Sequence, residues 1–279
     1  MYDAASLSDV PVLQRAVGEL RVDLRVRDGR TVLDGLRQVG CLKARFPRSD
    51  DWLNVVTLNT SGGIAGGDAL ESSFCAGAGT RATIAAQAAE RFYRALPSSA
   101  ASHVRTSIAV ADGAAVEWLP QETILFDRCA VDRRLRVDLA EDAWFLGVES
   151  LVFGRTAMGE VVEQASLSDR IEVRRGGRLL LHDAIRMDGE VTAMLRRSAV
   201  ARGARAVATL VHVAHDAEGK TDSVRAVVRA GEASSGVSGW NGMLVTRILA
   251  RESASLRQAV IAVLNVLRGG RSLPRVWMC

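Results

Sequence analysis

Apolar and polar residues alternate one for one along much of this chain, the period of a strand with one buried and one wet face. Leu20, Val22, Leu24 and Val26 alternate with Arg21, Asp23, Arg25 and Arg27, and the run stops at Asp28-Gly29, a dipeptide suited to a tight hairpin turn. The same arrangement returns around Asp112-Gly113, with Ile108 and Val110 before it and Val116 and Trp118 after it. It returns again around Gly176-Gly177, between Ile171-Glu172-Val173 and Leu179-Leu180-Leu181. One segment breaks the period. From Ser255 to Arg268 the residues Leu256, Val260, Val263, Leu264 and Leu267 line one helical face, with Ser253 or Ser255 to cap the start and Gly269 the end. The alanine-rich stretch Ala82 to Ala95 fits either a helix or a buried strand. The pattern predicts a mainly β chain with a helical C-terminal part. Residues 1–14 read as a loose arm and 15–279 as a single domain, since no Pro-rich or Ser-rich linker and no internal repeat divides them.

Hydrophobic residues make up 48% of the 279 and charged residues 24%, which excludes wholesale disorder. The net charge of +4 raises the question of nucleic acid. Its distribution answers it: Lys43 and Lys220 are the only lysines, and arginine pairs such as Arg133-Arg134 and Arg174-Arg175 sit among Asp and Glu. They read as solvated strand faces rather than a phosphate-tracking stripe, so no nucleic-acid partner is expected. Cys41, Cys75, Cys129 and Cys279 form no Cys-x-x-Cys pair and read as buried or idle thiols. Met1 to Leu13 lacks the basic start and apolar core of a secretory signal, and the longest apolar stretch, Ala259 to Leu267, is about half of the ~20 residues of a membrane span. A cytoplasmic location and no membrane partner follow as expectations.

Chemistry finds little to stand on. Gly62 to Gly67 has the spacing of a triphosphate loop but is followed by Asp68, where a lysine is needed, and Gly231 to Gly236 is followed by Val237-Ser238, which reads as a surface loop. Gly77 to Ala82 imitates a dinucleotide fingerprint without the later acidic residue, and reads as a turn. His212 and His215 are three apart, on opposite faces if both lie in one strand, and read as core or surface imidazoles. With no nucleophile motif, the chain is not expected to be an enzyme. Carboxylates are more suggestive: Asp68, Glu117, Glu149 and Asp183 each sit beside a strand-like apolar stretch. Such groups are costly unless paired, so they imply either salt bridges to the abundant arginines or a polar cavity.

These residues together resemble the UreD (UreH) family of urease accessory proteins. The run Asn59-Thr60-Ser61-Gly62-Gly63-Ile64-Ala65-Gly66-Gly67-Asp68 is similar to that family's most recognisable motif. It is followed in order by Gln87 to Arg94, Glu117 to Phe126, Phe153-Gly154-Arg155 with Gly159-Glu160, Asp169 to Glu172, and Leu273 to Trp277. The middle block departs from the family pattern, with Ala86, Glu90, Arg91, Phe92 and Ala95 in place of Thr, Thr, Lys, Val and Ser, and residues 200–235 match poorly. The resemblance implies a mainly β fold, its stacked sheets in a β-helix-like arrangement with a few α-helices, one near the C-terminus. It implies a maturation scaffold that binds apo-urease and UreF, with UreG docking through UreF. It implies no tightly bound cofactor, GTP held by the partner rather than by this chain, and Ni²⁺ passing transiently through the interior. Asp68, Glu149 and Asp183 are the expected waypoints of that path, because oxygen ligands hold Ni²⁺ less tightly than imidazole or thiolate. The alternatives are an adaptor that opens urease without contacting nickel, and an unrelated β-rich enzyme.

Overall fold

The alternating segments become strands that climb in coils, passing back and forth between two facing sheets. The computed structural model describes residues 14–49, 52–97, 99–155 and 159–278, so most of the expected N-terminal arm and Cys279 lie outside the described residues. The chain enters through a hairpin of β1 (Val17–Arg27) and β2 (Arg30–Gly40), turned by Asp28 and Gly29 with φ of 51° and 73°. β3 (Leu42–Arg45) and β4 (Leu53–Asn59) pair antiparallel and begin the second sheet.

The coils then repeat. β5 (Ala69–Ala76), β8 (Ser102–Val110), β11 (Ala130–Leu139) and β13 (Gln164–Arg175) stack in parallel beside β1 in the first sheet. β6 (Arg81–Ala86), β9 (Ala115–Leu119) and β12 (Trp144–Phe153) stack in parallel beside β4 in the second. Short strand β7 (Glu90–Phe92) pairs with β10 (Thr123–Leu125), which in turn pairs with the end of β12, and the two make a third, narrow face. Ala69, His103, Asp132 and Ser168 thus share one row although about thirty residues separate each from the next, the signature of a β-solenoid. The alanine-rich stretch is therefore strand, β6 and β7, with Ala82, Ile84 and Ala85 buried.

Antiparallel strands close the stack. β14 (Arg178–Glu190) folds back on β13 through Gly176 and Gly177, and β15 (Ala206–Val213), β17 (Met243–Ala250) and β16 (Ser234–Trp240) extend the second sheet beyond β12. Helix α1 (Val191–Arg196) follows β14. α2 (Thr221–Arg229) and α3 (Ser253–Leu267) cover the outer face of the second sheet. The stripe of Leu256, Val260, Val263, Leu264 and Leu267 packs on Leu146, Leu210, Leu244 and Ile248. α3 starts two residues before the predicted Ser255, and its N-cap is Glu252, with no side-chain cap bond from either serine. Gly269 ends it at φ 61°.

Two further expectations shift. Asp112-Gly113 joins β8 to β9 across the two sheets, so it is a coil corner rather than a hairpin. Gly231 to Gly236 runs into β16 instead of forming a surface loop. Among the described residues no helix is long and apolar enough to cross a membrane.

Candidate functional site

The glycine-rich run after β4 builds the mouth of an internal cavity. Gly62, Gly63 and Gly67 take φ of 81°, 143° and 87°, and a Cβ on Gly63 would lie 2.3 Å from the Tyr93 ring. That close approach lets the Ile64 N–H donate to Arg91 O at 2.7 Å and Ile64 O accept from the Tyr93 N–H at 2.8 Å, tying the run to β7. Asn59 accepts from Ser61 N at 3.0 Å, and its Nδ2 donates to Glu90 at 3.1 Å. Asp68 finishes the turn: its two oxygens accept from Ala16 N and Ala65 N, each at 2.8 Å, fixing the start of β1 to the glycine loop.

Between the sheets lies a cavity of about 220 Å³, reached beside the exposed Gly62, Gln87 and Ala88 and lined in part by Ser72, Thr106, Glu90, Trp118, Thr123 and Arg133. Polar residues inside a solenoid require the inward positions of several coils to be hydrophilic together. Here Ser72 and Thr106 are register partners in β5 and β8, and Arg133 and Asp169 in β11 and β13. Opposite them, Glu149, Thr209 and Arg247 form one row across β12, β15 and β17.

The two rows meet in a buried cluster. The Arg133 guanidinium, 12% exposed, donates Nε and Nη2 to both oxygens of Asp169 at 2.8 Å, and Nη1 to Glu149 at 2.7 Å and Thr123 at 2.9 Å. Trp118 Nε1 donates to the other Glu149 oxygen at 2.7 Å. Burial pushes the Glu149 carboxyl up, the Arg133 charge pulls it down and Asp169 pushes it up again, leaving it above the usual carboxylate range. Burial opposes the Arg133 charge, but Asp169 and Glu149 outweigh it and hold the guanidinium more firmly protonated than usual. Beyond the cluster a space of about 10 Å³, near the size of one water, is lined by Glu149, Asp169, Asp183 and Thr209. Asp183 pairs there with Arg247 and lies 3.5 Å from Thr209.

Of the expected waypoints, Glu149 and Asp183 therefore share one small cavity, and both readings of them hold at once: each is ion-paired and each lines a polar space. Asp68 is not among the residues lining either cavity and spends both oxygens on backbone. Arg133 and Asp169 are the residues sequence reasoning missed. Their signal was present, because the period of two puts Arg133 on the face of Val131, Leu135, Val137 and Leu139, and Asp169 on that of Leu167, Ile171 and Val173. The wet-face reading of Arg133-Arg134 holds for Arg134, which pairs with Glu172 on the outer face. Among the described residues, no three or more His, Cys, Asp or Glu side chains are placed to hold a metal ion together.

Other reactive groups serve the core. Burial pushes the Cys129 thiol up to about 12, which leaves it unreactive. His215 is exposed in the turn after β15, while His212 is buried, with Nδ1 3.1 Å from Phe145 O. Burial, with the Lys220 charge, pushes His212 down to about 4. Below its ordinary value of about 6.5 the unfolded chain takes up a proton that the folded chain refuses until about pH 4, so stability is lost as pH falls through that window. Urea unfolding should show about 2–3 kcal/mol less stability near pH 4.5 than near pH 7 from this group. His212→Phe should be less stable near pH 7 but lose that part of the acid dependence.

The profile of the UreD urease accessory protein family matches residues 16–278. The chain belongs to the UreD family. Proteins named urease accessory protein UreD are 42% identical in Azorhizobium caulinodans, over 97% of this chain and 99% of the relative. They are 45% identical in Rhizobium leguminosarum bv. trifolii, over 95% and 96%, and 44% identical in Roseobacter denitrificans, over 94% and 95%. Membership of UreD supports a role in urease maturation, and relatives named as accessory proteins agree with a chain that is not itself an enzyme. Four of the six blocks that carried the resemblance contribute residues to the two cavity walls, among them Asn59, Gly63, Gln87, Glu90, Trp118, Thr123, Asp169 and Ile171.

Proposed function

We propose that this chain is a urease maturation scaffold that binds apo-urease and UreF, with UreG docking through UreF, and that its lumen conducts Ni²⁺ toward the urease active site. The observation that carries the reading is the set of polar groups held between the two sheets, around one cavity at the glycine-rich mouth and a small second one at Glu149 and Asp183. A solenoid gains most from an apolar core, so hydroxyls and carboxylates held inward in register need a use beyond stability. Oxygen donors, few and already paired, suit a cargo that must leave again.

Co-expression with urease subunits and the other accessory proteins tests it. Asp183→Asn should lower urease activity and nickel content together, by about tenfold, while the chain still co-purifies with its partners. Ser72→Trp, which fills the larger cavity, should do the same. Unchanged nickel content in both variants would instead leave the scaffold role with an adaptor that opens urease and never touches nickel. That second reading draws support from the Arg133 cluster, which blocks the lumen as it stands.

A further inference from the structure

The lumen is divided by its own cation. Arg133 sits between a cavity of about 220 Å³ and one of about 10 Å³, and its guanidinium occupies the position between Glu149 and Asp169 where a passing cation would be held. A fixed positive charge there repels Ni²⁺, so conduction requires Arg133 to move. Only one side has room for it. Thr123, to which Arg133 already donates at 2.9 Å, faces the larger cavity, and the register partner of Thr123 in the neighbouring short strand is Glu90, about 4.8 Å away along the ladder.

Glu90 also lines that cavity, and its partners are neutral donors: Asn59 Nδ2 at 3.1 Å and the Arg91 N–H at 3.0 Å. Among the described residues it is a half-buried carboxylate with no cation in ion-pair contact, the Arg91 charge acting on it from further off. Asp183 already has Arg247.

We propose, resting on the reading of the lumen as a nickel path, that Arg133 is a two-position gate: held by Glu149 and Asp169 it closes the lumen, and turned toward Glu90 it opens it. Only the open position balances charge. Closed, one guanidinium serves two carboxylates. Open, Ni²⁺ meets Glu149 and Asp169, and the displaced guanidinium meets Glu90 instead of standing unpaired in a low-dielectric space.

The test uses the purified full-length chain and Ni²⁺ alone. Trp118 donates to Glu149, so metal at that carboxylate should quench Trp118 saturably, read as the difference from a Trp118→Phe reference. Arg133→Gln should bind Ni²⁺ about tenfold more tightly than the parent chain. Glu90→Gln should weaken Ni²⁺ binding in the parent chain and change nothing in the Arg133→Gln background, where no guanidinium needs a second partner. Equal weakening in both backgrounds would make Glu90 a simple ligand and overturn the gate, as would Arg133→Gln binding no more tightly than the parent. If Arg133→Gln loses cooperative unfolding, Arg133→Met replaces it with the same expected result, because it fills similar space and carries no charge that needs a second partner. Urease activation by the same variants is scored separately. A gate that responds in the chain alone while activation is unmoved would count against nickel delivery and leave the gate standing.

Discussion

Glu117→Ala should cost the fold about 3–5 kcal/mol, seen as a large fall in the urea midpoint with the slope unchanged. Glu117 is fully buried on the outer side of the second sheet, where it accepts from Thr83 at 2.6 Å, from Arg268 Nε and Nη2 at 2.9 and 3.0 Å, and from Arg271. Burial pushes its pKa up, but the Arg268 hydrogen bonds and charge, with Thr83 and Arg271, prevail and hold it below the usual carboxylate range. Removing the carboxylate strands Arg268, itself 5% exposed, with the Arg271 carbonyl as its remaining side-chain acceptor at 2.8 Å. It also loosens Arg271, whose guanidinium stacks 4.0 Å from the Trp52 ring. Glu117→Gln should fall in between, since it keeps the shape but brings an N–H against guanidinium donors. A Glu117→Ala chain within about 1 kcal/mol of the parent would mean that water reaches this cluster freely.

Asp68→Ala should be the second largest loss, about 2–3 kcal/mol, and should act on folding rather than on nickel. Two backbone N–H groups, from Ala16 and Ala65, lose their acceptor together, and the glycine loop comes free from the start of β1. Asp68→Asn keeps one acceptor oxygen and should lose about half as much. In the urease assay, activation by the Asp68 variants should track the amount of folded chain, whereas Asp183→Asn should remove nickel at constant chain. An Asp68→Ala chain of parental stability that fails to deliver nickel would return Asp68 to the path.

How far the sequence spoke depended on how local the determining physics was. Asp28-Gly29 and Gly176-Gly177 were legible as hairpins because in each pair both residues take positive φ, as the favoured two-residue hairpin turn requires. Asp112-Gly113 looks the same on paper, yet only Gly113 is left-handed, and the chain turns into the other sheet. Nothing in the dipeptide distinguishes Asp112 from Asp28, because the choice is made by the coil below it. The α3 stripe was legible for the same reason as the hairpins, while its missing side-chain cap was not. In the site, alternation marked which residues face inward, but the meeting of Arg133 with Glu149 depends on two sheets facing each other. That is a fact of the closed solenoid and of no short window of sequence. Glu149 and Asp183 were found through cost, as acids beside apolar strands, and the same argument applied to Arg133 had been dulled by its neighbour Arg134.

The stacking of coils also governs how the chain reaches its native state. Each rung of the parallel stack pairs with one made about thirty residues later, and β1 waits for β5, Val17 opposite Ala69, before it has a parallel neighbour. Contacts so remote in sequence must overcome loop closure before they return any burial, which makes for a slow folder with unpaired edges exposed along the way. The pieces that latch β9 and β10 lie far along the chain from them: Gln121 donates to Val276 O at 2.6 Å, and Trp277 donates to Leu119 O at 3.0 Å. Removal of residues 274–279 should therefore reach further than its length suggests, leaving the coil of β8, β9 and β10 unlatched and the chain open to aggregation.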